Sequence, residues 1–116
     1  MNLLANTIKQ LLAKKENFNK VELIVLILDT KENSAVGKIR GERNGIGLEL
    51  KMSEGSFPEA VVNNFFFQRW LKKIKEETSQ LCNIVLIHLD FNTNDFYLEA
   101  RWTDLDGQKL NKKFDL

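Results

Sequence analysis

Residues 84–103 carry the pattern that most restricts what this chain can become. Val85, Ile87, Leu89 and Phe91 alternate with Ile84, Leu86, His88 and Asp90. After Asn92–Asp95 the alternation resumes, with Phe96, Leu98, Ala100 and Trp102 set against Tyr97, Glu99, Arg101 and Thr103. Successive strand side chains point to opposite faces, so each segment has one apolar and one mixed face. Read as an antiparallel hairpin with Phe91 facing Phe96, every core-side residue of one strand meets a core-side residue of the other. The same register sets His88 opposite Glu99, Asp90 opposite Tyr97, and Leu86 opposite Arg101.

The preceding chain supplies the partners for this hairpin. Leu3, Leu4, Ile8, Leu11 and Leu12 form one stripe of an amphipathic helix over 2–15, with Lys14 and Lys15 in its last turn, where cations suit the helix dipole. Val21–Leu28 is a β-branched and leucine run of strand length, ended by turn residues at 29–34, and Ala35–Gly41 is a weaker strand. Asn44-Gly45 marks a tight hairpin, because both residues tolerate positive φ. Ile46, Leu48, Leu50 and Met52 then alternate with Gly47, Glu49 and Lys51 as a half-buried strand.

Ser56-Phe57-Pro58-Glu59 announces a second helix, with Ser56 and Glu59 as a capping box and Pro58 in the first turn. That helix is expected to run to about residue 78. Phe57, Ala60, Phe67, Leu71 and Ile74 form its stripe, with Trp70 at the margin, while Val61, Val62, Phe65 and Phe66 fall outside it. The N-terminal helix is the candidate to cover that surplus. Asp106-Gly107 offers a last turn, followed by a short strand with Leu110, Lys112 and Phe114.

The element order is α-β-β-β-α-β-β(-β). It predicts an α+β fold in one domain over 1–116, with a mostly antiparallel five- or six-stranded sheet and two helices on one face. The open face is expected to hold Ile24, Leu26, Leu28, Ile84 and Leu86 as an apolar strip. Glu22, Lys38, Arg40, Glu49, Lys51, His88, Asp90, Tyr97, Glu99 and Arg101 are expected around it.

Composition narrows the chemistry. The chain has 116 residues, 17 Lys and Arg against 16 Asp and Glu, one histidine and one cysteine. A formal net charge of +1 argues against a dedicated nucleic-acid binder, whose affinity leans on unpaired cations. One cysteine excludes an internal disulfide and cysteine-rich zinc modules. The N-terminal segment lacks the continuous apolar run and cleavage site of a signal peptide. The longest apolar run, Leu23–Leu28, falls far short of the ~20 residues that span a bilayer. The expectation is a cytoplasmic protein with no membrane partner.

His88 is the single imidazole, and Glu99 is its expected orienting partner, but no serine sits on a sharp strand-to-helix turn and Cys82 has no second base nearby. The pair reads as cross-strand electrostatics in a chain that is not an enzyme. His88, Asp90 and Glu99 fall short of the ligand sets of structural zinc or a hard cation, so no metal and no cofactor are expected. Gly37, Gly41, Gly45 and Gly47 match neither phosphate-loop pattern; Gly37 and Gly41 read as places where a helix comes close to the sheet. Lys38, Arg40 and Arg43, and Lys72, Lys73 and Lys75, form small basic patches balanced by local acids. The acids of 84–108, set among Tyr97 and Trp102, have the composition of a contact surface for a basic partner. Turn-building aspartates are the competing account. The candidate partner-binding residues are Asp90, Asp95, Tyr97, Glu99, Arg101, Asp104 and Asp106.

The element order, with the long hairpin Ile84–Asp106 (IVLIHLDFNTNDFYLEARWTDLD) ending in an acidic segment, resembles the small α+β immunity proteins that accompany contact-dependent growth inhibition and related polymorphic toxins of bacteria. That resemblance implies a cognate toxin C-terminal domain, often a nuclease, held inactive in a tight stoichiometric complex. The order is also similar to that of type III secretion chaperones, which implies a homodimer that binds an effector. Those chaperones are markedly acidic, whereas this chain has a pI near 7.8, and residues 104–116 read as turn and strand where they have a third helix.

Overall fold

The computed structural model describes residues 2–52 and 59–116. Along these residues run α1 (Leu3–Glu16), β1 (Lys20–Asp29), β2 (Ser34–Arg43), β3 (Ile46–Met52), α2 (Glu59–Val62), α3 (Phe65–Glu77), β4 (Ile84–Asp90), β5 (Asp95–Thr103) and β6 (Lys109–Asp115). The expected α+β class and element order hold, and β6 is the sixth strand. All strands join one antiparallel sheet in the order β3-β2-β1-β4-β5-β6. β1 and β4, far apart in sequence, are therefore the central pair. Leu4, Ile8 and Leu12 of α1, Val61 of α2, and Phe67, Leu71 and Ile74 of α3 share one core with Ile24, Leu26, Leu28, Ile39, Val85, Ile87, Leu89 and Leu98. The helices thus cover one face of the sheet and leave the other open.

Local chemistry sets the ends of these elements. The Asn2 side chain accepts from the Ala5 amide at the start of α1, and Asn17 closes it in the left-handed region at φ 59°. Asn33, Asn44 and Asn94 occupy left-handed turn positions too, where asparagine is tolerated better than most residues. Asn44-Gly45 forms the β2–β3 turn with both residues at positive φ, as a primed hairpin turn requires.

Four expectations are corrected. First, β1 uses the opposite face. A bulge between Val21 and Leu23 moves the pairing by one residue, so Ile24, Leu26 and Leu28 point to the core and are fully buried. The open-face strip instead comes from Leu23, Val25 and Ile27 of β1, with Ile84 and Leu86 of β4 as expected.

Second, the long hairpin is shifted by two residues. Asp90 pairs with Asp95, Leu89 with Phe96, His88 with Tyr97, Leu86 with Glu99 and Ile84 with Arg101. A two-residue shift preserves the faces, so the apolar alternation cannot detect it. The turn decides: Asp90 Oδ1 accepts from the amides of Asn92 and Thr93 at 2.9 and 3.3 Å, closing the loop one residue earlier. Phe91 still packs on Phe96, with ring centroids 5.2 Å apart.

Third, the second helix is broken. Its expected start at Ser56, Phe57 and Pro58 lies outside the described residues. After α2 the chain leaves helical geometry at Asn64, whose side chain caps α3 by accepting from the amides of Phe66 and Phe67. The break lets Val61 and Phe67 both reach the core, which one continuous helix with an all-round apolar first half could not do.

Fourth, Gly37 and Gly41 admit the neighbouring strand, not a helix. A Cβ on Gly37 would lie 2.0 Å from the Val25 carbonyl oxygen, and one on Gly41 would lie 2.0 Å from that of Lys20. Both glycines let β1 come close to β2, Gly41 beside the bulge and Gly37 opposite Leu26.

Candidate protein-binding face

The open face is an array of rows running across the strands. One row reads Lys51, Lys38, Val25, His88, Tyr97, Asp115 from β3 to β6. On one side of it lies Val36, Ile27, Leu86, Glu99, Lys113, and on the other Glu49, Arg40, Leu23, Asp90, Asp95. Central β1 and β4 thus supply Leu23, Val25, Ile27, Ile84 and Leu86, an apolar strip over the middle of the sheet. Val36 extends it onto β2 and is itself exposed. Polar and charged side chains stand on both flanks.

On the β2–β3 flank, Lys38 lies 3.3 Å from Glu49, and Arg40 lies 3.6 Å from Glu22. On the β5–β6 flank, His88 and Tyr97 stack with their centroids 4.5 Å apart and their planes 14° from parallel. His88 Nε2 is 3.9 Å from Asp95 Oδ2, and the Lys113 ammonium sits 4.3 Å over the Tyr97 ring. Arg101 Nε donates to Glu99 Oε1 at 2.6 Å. Each pair keeps at least one member well exposed to solvent, where such contacts are worth little in stability, so they orient the surface more than they hold the fold.

The structure gathers some candidate residues and separates others. Asp95, Tyr97, Glu99 and Arg101 alternate along β5 on the open face, and Asp90 joins them beside Asp95. Asp104 and Asp106 lie beyond the far end of β5, roughly 30 Å from Asp95 at strand rise. Asp104 also builds its turn, its Oδ1 accepting from the amides of Asp106 and Gln108 at 2.9 and 2.8 Å. Asp90 has the same duty in the β4–β5 turn. The turn-building account therefore holds for Asp90 and Asp104, while Asp95, Tyr97, Glu99 and Arg101 stand on the open face in contact with one another, His88 and Lys113.

Two contributions escaped sequence reasoning. Leu23, Val25 and Ile27 were hidden because β1 is apolar at nearly every position and its period names no face. Lys113 and Asp115 were legible: if Leu110, Lys112 and Phe114 face inward, their neighbours in β6 must face outward. Lys113 brings positive charge against the acids of β5, so that flank is mixed, not simply acidic.

Among the described residues, no group of three or more His, Cys, Asp or Glu side chains is placed to hold a metal ion, and no helix is long and apolar enough to cross a membrane. Glu99 lies opposite Leu86, so the expected His88–Glu99 pair is replaced by contacts of His88 with Tyr97 and Asp95. Cys82 is buried and hydrogen-bonded to the carbonyls of Ile84 and Arg101; burial raises its thiol pKa, and those hydrogen bonds offset part of the rise.

No protein-family model matches the chain, and no curated protein or solved structure matches it either.

Proposed function

We propose that the protein acts by stoichiometric binding, as an immunity protein that neutralises a cognate bacterial toxin domain, and that it binds through the open face of its sheet. The observation that supports this reading is the Val25–Ile27–Ile84–Leu86 strip, half-buried on the face that the helices leave open, with Leu23 buried at its end and charged and aromatic side chains around it. An apolar centre with a polar rim is the anatomy of a protein interface, and Tyr and Arg are enriched at its energetic centres. A nuclease cleft is cationic because it holds phosphates, and Asp95, Glu99 and Tyr97 present acids and an aromatic ring to such a cleft. On this reading the chain turns over no substrate, and His88 is a contact residue.

The test is titration of the protein with the toxin domain encoded beside its gene, followed by calorimetry and the toxin's own activity. A one-to-one complex that silences the toxin is expected. Ile27→Asp and the double reversal Asp95→Lys/Glu99→Lys are expected to weaken it at least about tenfold, with thermal unfolding kept within a few degrees. Absence of a complex, or a complex indifferent to both variants, would contradict the proposal.

A further inference from the structure

We infer that, without its partner, the chain pairs with a second copy of itself, open face to open face. The apolar strip lies on β1 and β4, the two central strands, with two further strands on each side. A two-fold axis lying between two such sheets, parallel to β1 and β4, sets strip on strip: β1 over β4 of the copy, β2 over β5 and β3 over β6. An isologous interface of this kind needs a self-complementary surface.

The rows provide that complementarity. Under this operation each row meets its own reverse, so Ile27 comes over Leu86 of the copy and Val25 over His88. Arg40 comes over Asp95, Lys51 over Asp115 and Lys38 over Tyr97, while Leu23 comes over Asp90 and Val36 over Glu99, two apolar-on-acid pairings that keep such a dimer weak. The ~30° angle between aligned packed sheets slides β2 over β5 by about one residue and β3 over β6 by about two, so Arg40 stays within reach of Asp95 while Lys51 ends about one row from Asp115. Acids also stand on the first flank (Glu22 engages Arg40 and Glu49 engages Lys38), so the attraction is carried row by row and not by net charge.

Size agrees. Six strands ~4.8 Å apart, about seven residues long at ~3.3 Å each, project roughly 650 Å². That approaches the ~800 Å² per partner of a standard interface once side-chain relief is counted. A contact of this area with mixed rims suits a weak, exchangeable dimer. The inference does not rest on toxin neutralisation. If both hold, copy and toxin domain compete for one strip, and the dimer is the resting form.

Sedimentation equilibrium of the full chain alone, from low micromolar to ~200 µM, tests this. A monomer–dimer equilibrium is expected, with Ile27→Asp and Leu86→Asp monomeric throughout. Should those variants fail to fold, the charge pair decides: Arg40→Asp and Asp95→Arg each weaken the dimer about tenfold, and the double variant restores it. A monomer at every concentration would overturn the inference. So would a dimer that survives Ile27→Asp, or one whose charge reversals are not mutually rescuing. Toxin binding is measured separately, so either reading can fail without the other.

Discussion

The two faces of β1 have nearly the same composition and opposite fates. Ile24, Leu26 and Leu28 are sealed in the core with α1 and α3, while Val25 and Ile27 are half-buried on the open side of the sheet, where Leu23, beside the bulge, is buried by its neighbours. Hydrophobicity does not separate them; the bulge at Glu22 does, by turning the strand over one residue early. The apolar run therefore has two jobs at once. One triad holds the domain together, and the other supplies the surface that we propose a partner uses.

The largest effect expected from breaking this contrast is on stability. Leu26→Ala removes a fully buried side chain and should cost about 3 kcal/mol, whereas Ile27→Ala, one residue on, should cost about 1 kcal/mol or less, both read from urea unfolding. Equal costs would show that the open face is covered. Gly37→Ala comes next: its methyl group would collide with the Val25 carbonyl, and a loss of about 2 kcal/mol is expected from the same measurement.

Asn64→Ala removes the cap that starts α3 and lets Phe67 turn inward, and a loss of about 1 kcal/mol should appear in thermal unfolding. Two neighbouring acids sharpen the distinction between surface and scaffold. Asp104→Ala should cost about 1 kcal/mol, because two amides lose their acceptor, while Asp106→Ala should stay within about 0.5 kcal/mol. Equal effects would mean that the Asp104 carboxylate does not hold the turn.

The smallest effect is alkaline. Burial raises the folded-state thiol pKa of Cys82, so its contribution to stability is complete below the ordinary thiol pKa of ~8.5 and is lost as pH rises through the folded value. Wild type should therefore lose stability relative to Cys82→Ala between neutral pH and the alkaline range, in paired denaturant titrations. A difference that does not change with pH would contradict this.

What could be read from sequence follows a physical line. Alternation located β3, β4 and β5, and the Asn44-Gly45 turn fixed the β2–β3 connection, because period and turn chemistry are local signals. The α+β class followed from element order alone. The face of β1 was not legible, since VELIVLIL is apolar on both sides and the bulge answers to packing with β2 and β4. The hairpin register was missed for a related reason: a shift of two residues leaves every side chain on its own face, and only Asp90 capping the turn distinguishes the alternatives. The helix break at Asn64 had a signal, an Asn-Asn pair before a run of phenylalanines, which helical periodicity overrode. Of the candidate site, Asp95, Tyr97, Glu99 and Arg101 were visible as the outward side of β5. Of the apolar strip beside them, Ile84 and Leu86 were visible too, whereas the β1 contribution depended on the bulge and the strip's central position on the strand order.

The central claim is that the open face is the working surface. Calorimetric titration of the toxin domain into Ile27→Asp and Phe65→Asp tests it most directly, since each places one carboxylate on one side of the molecule. Phe65 is 65% exposed on the helical side. The account predicts that Ile27→Asp loses binding and Phe65→Asp keeps the wild-type affinity. Binding that survives Ile27→Asp and disappears with Phe65→Asp would place the working surface on the helices and contradict it.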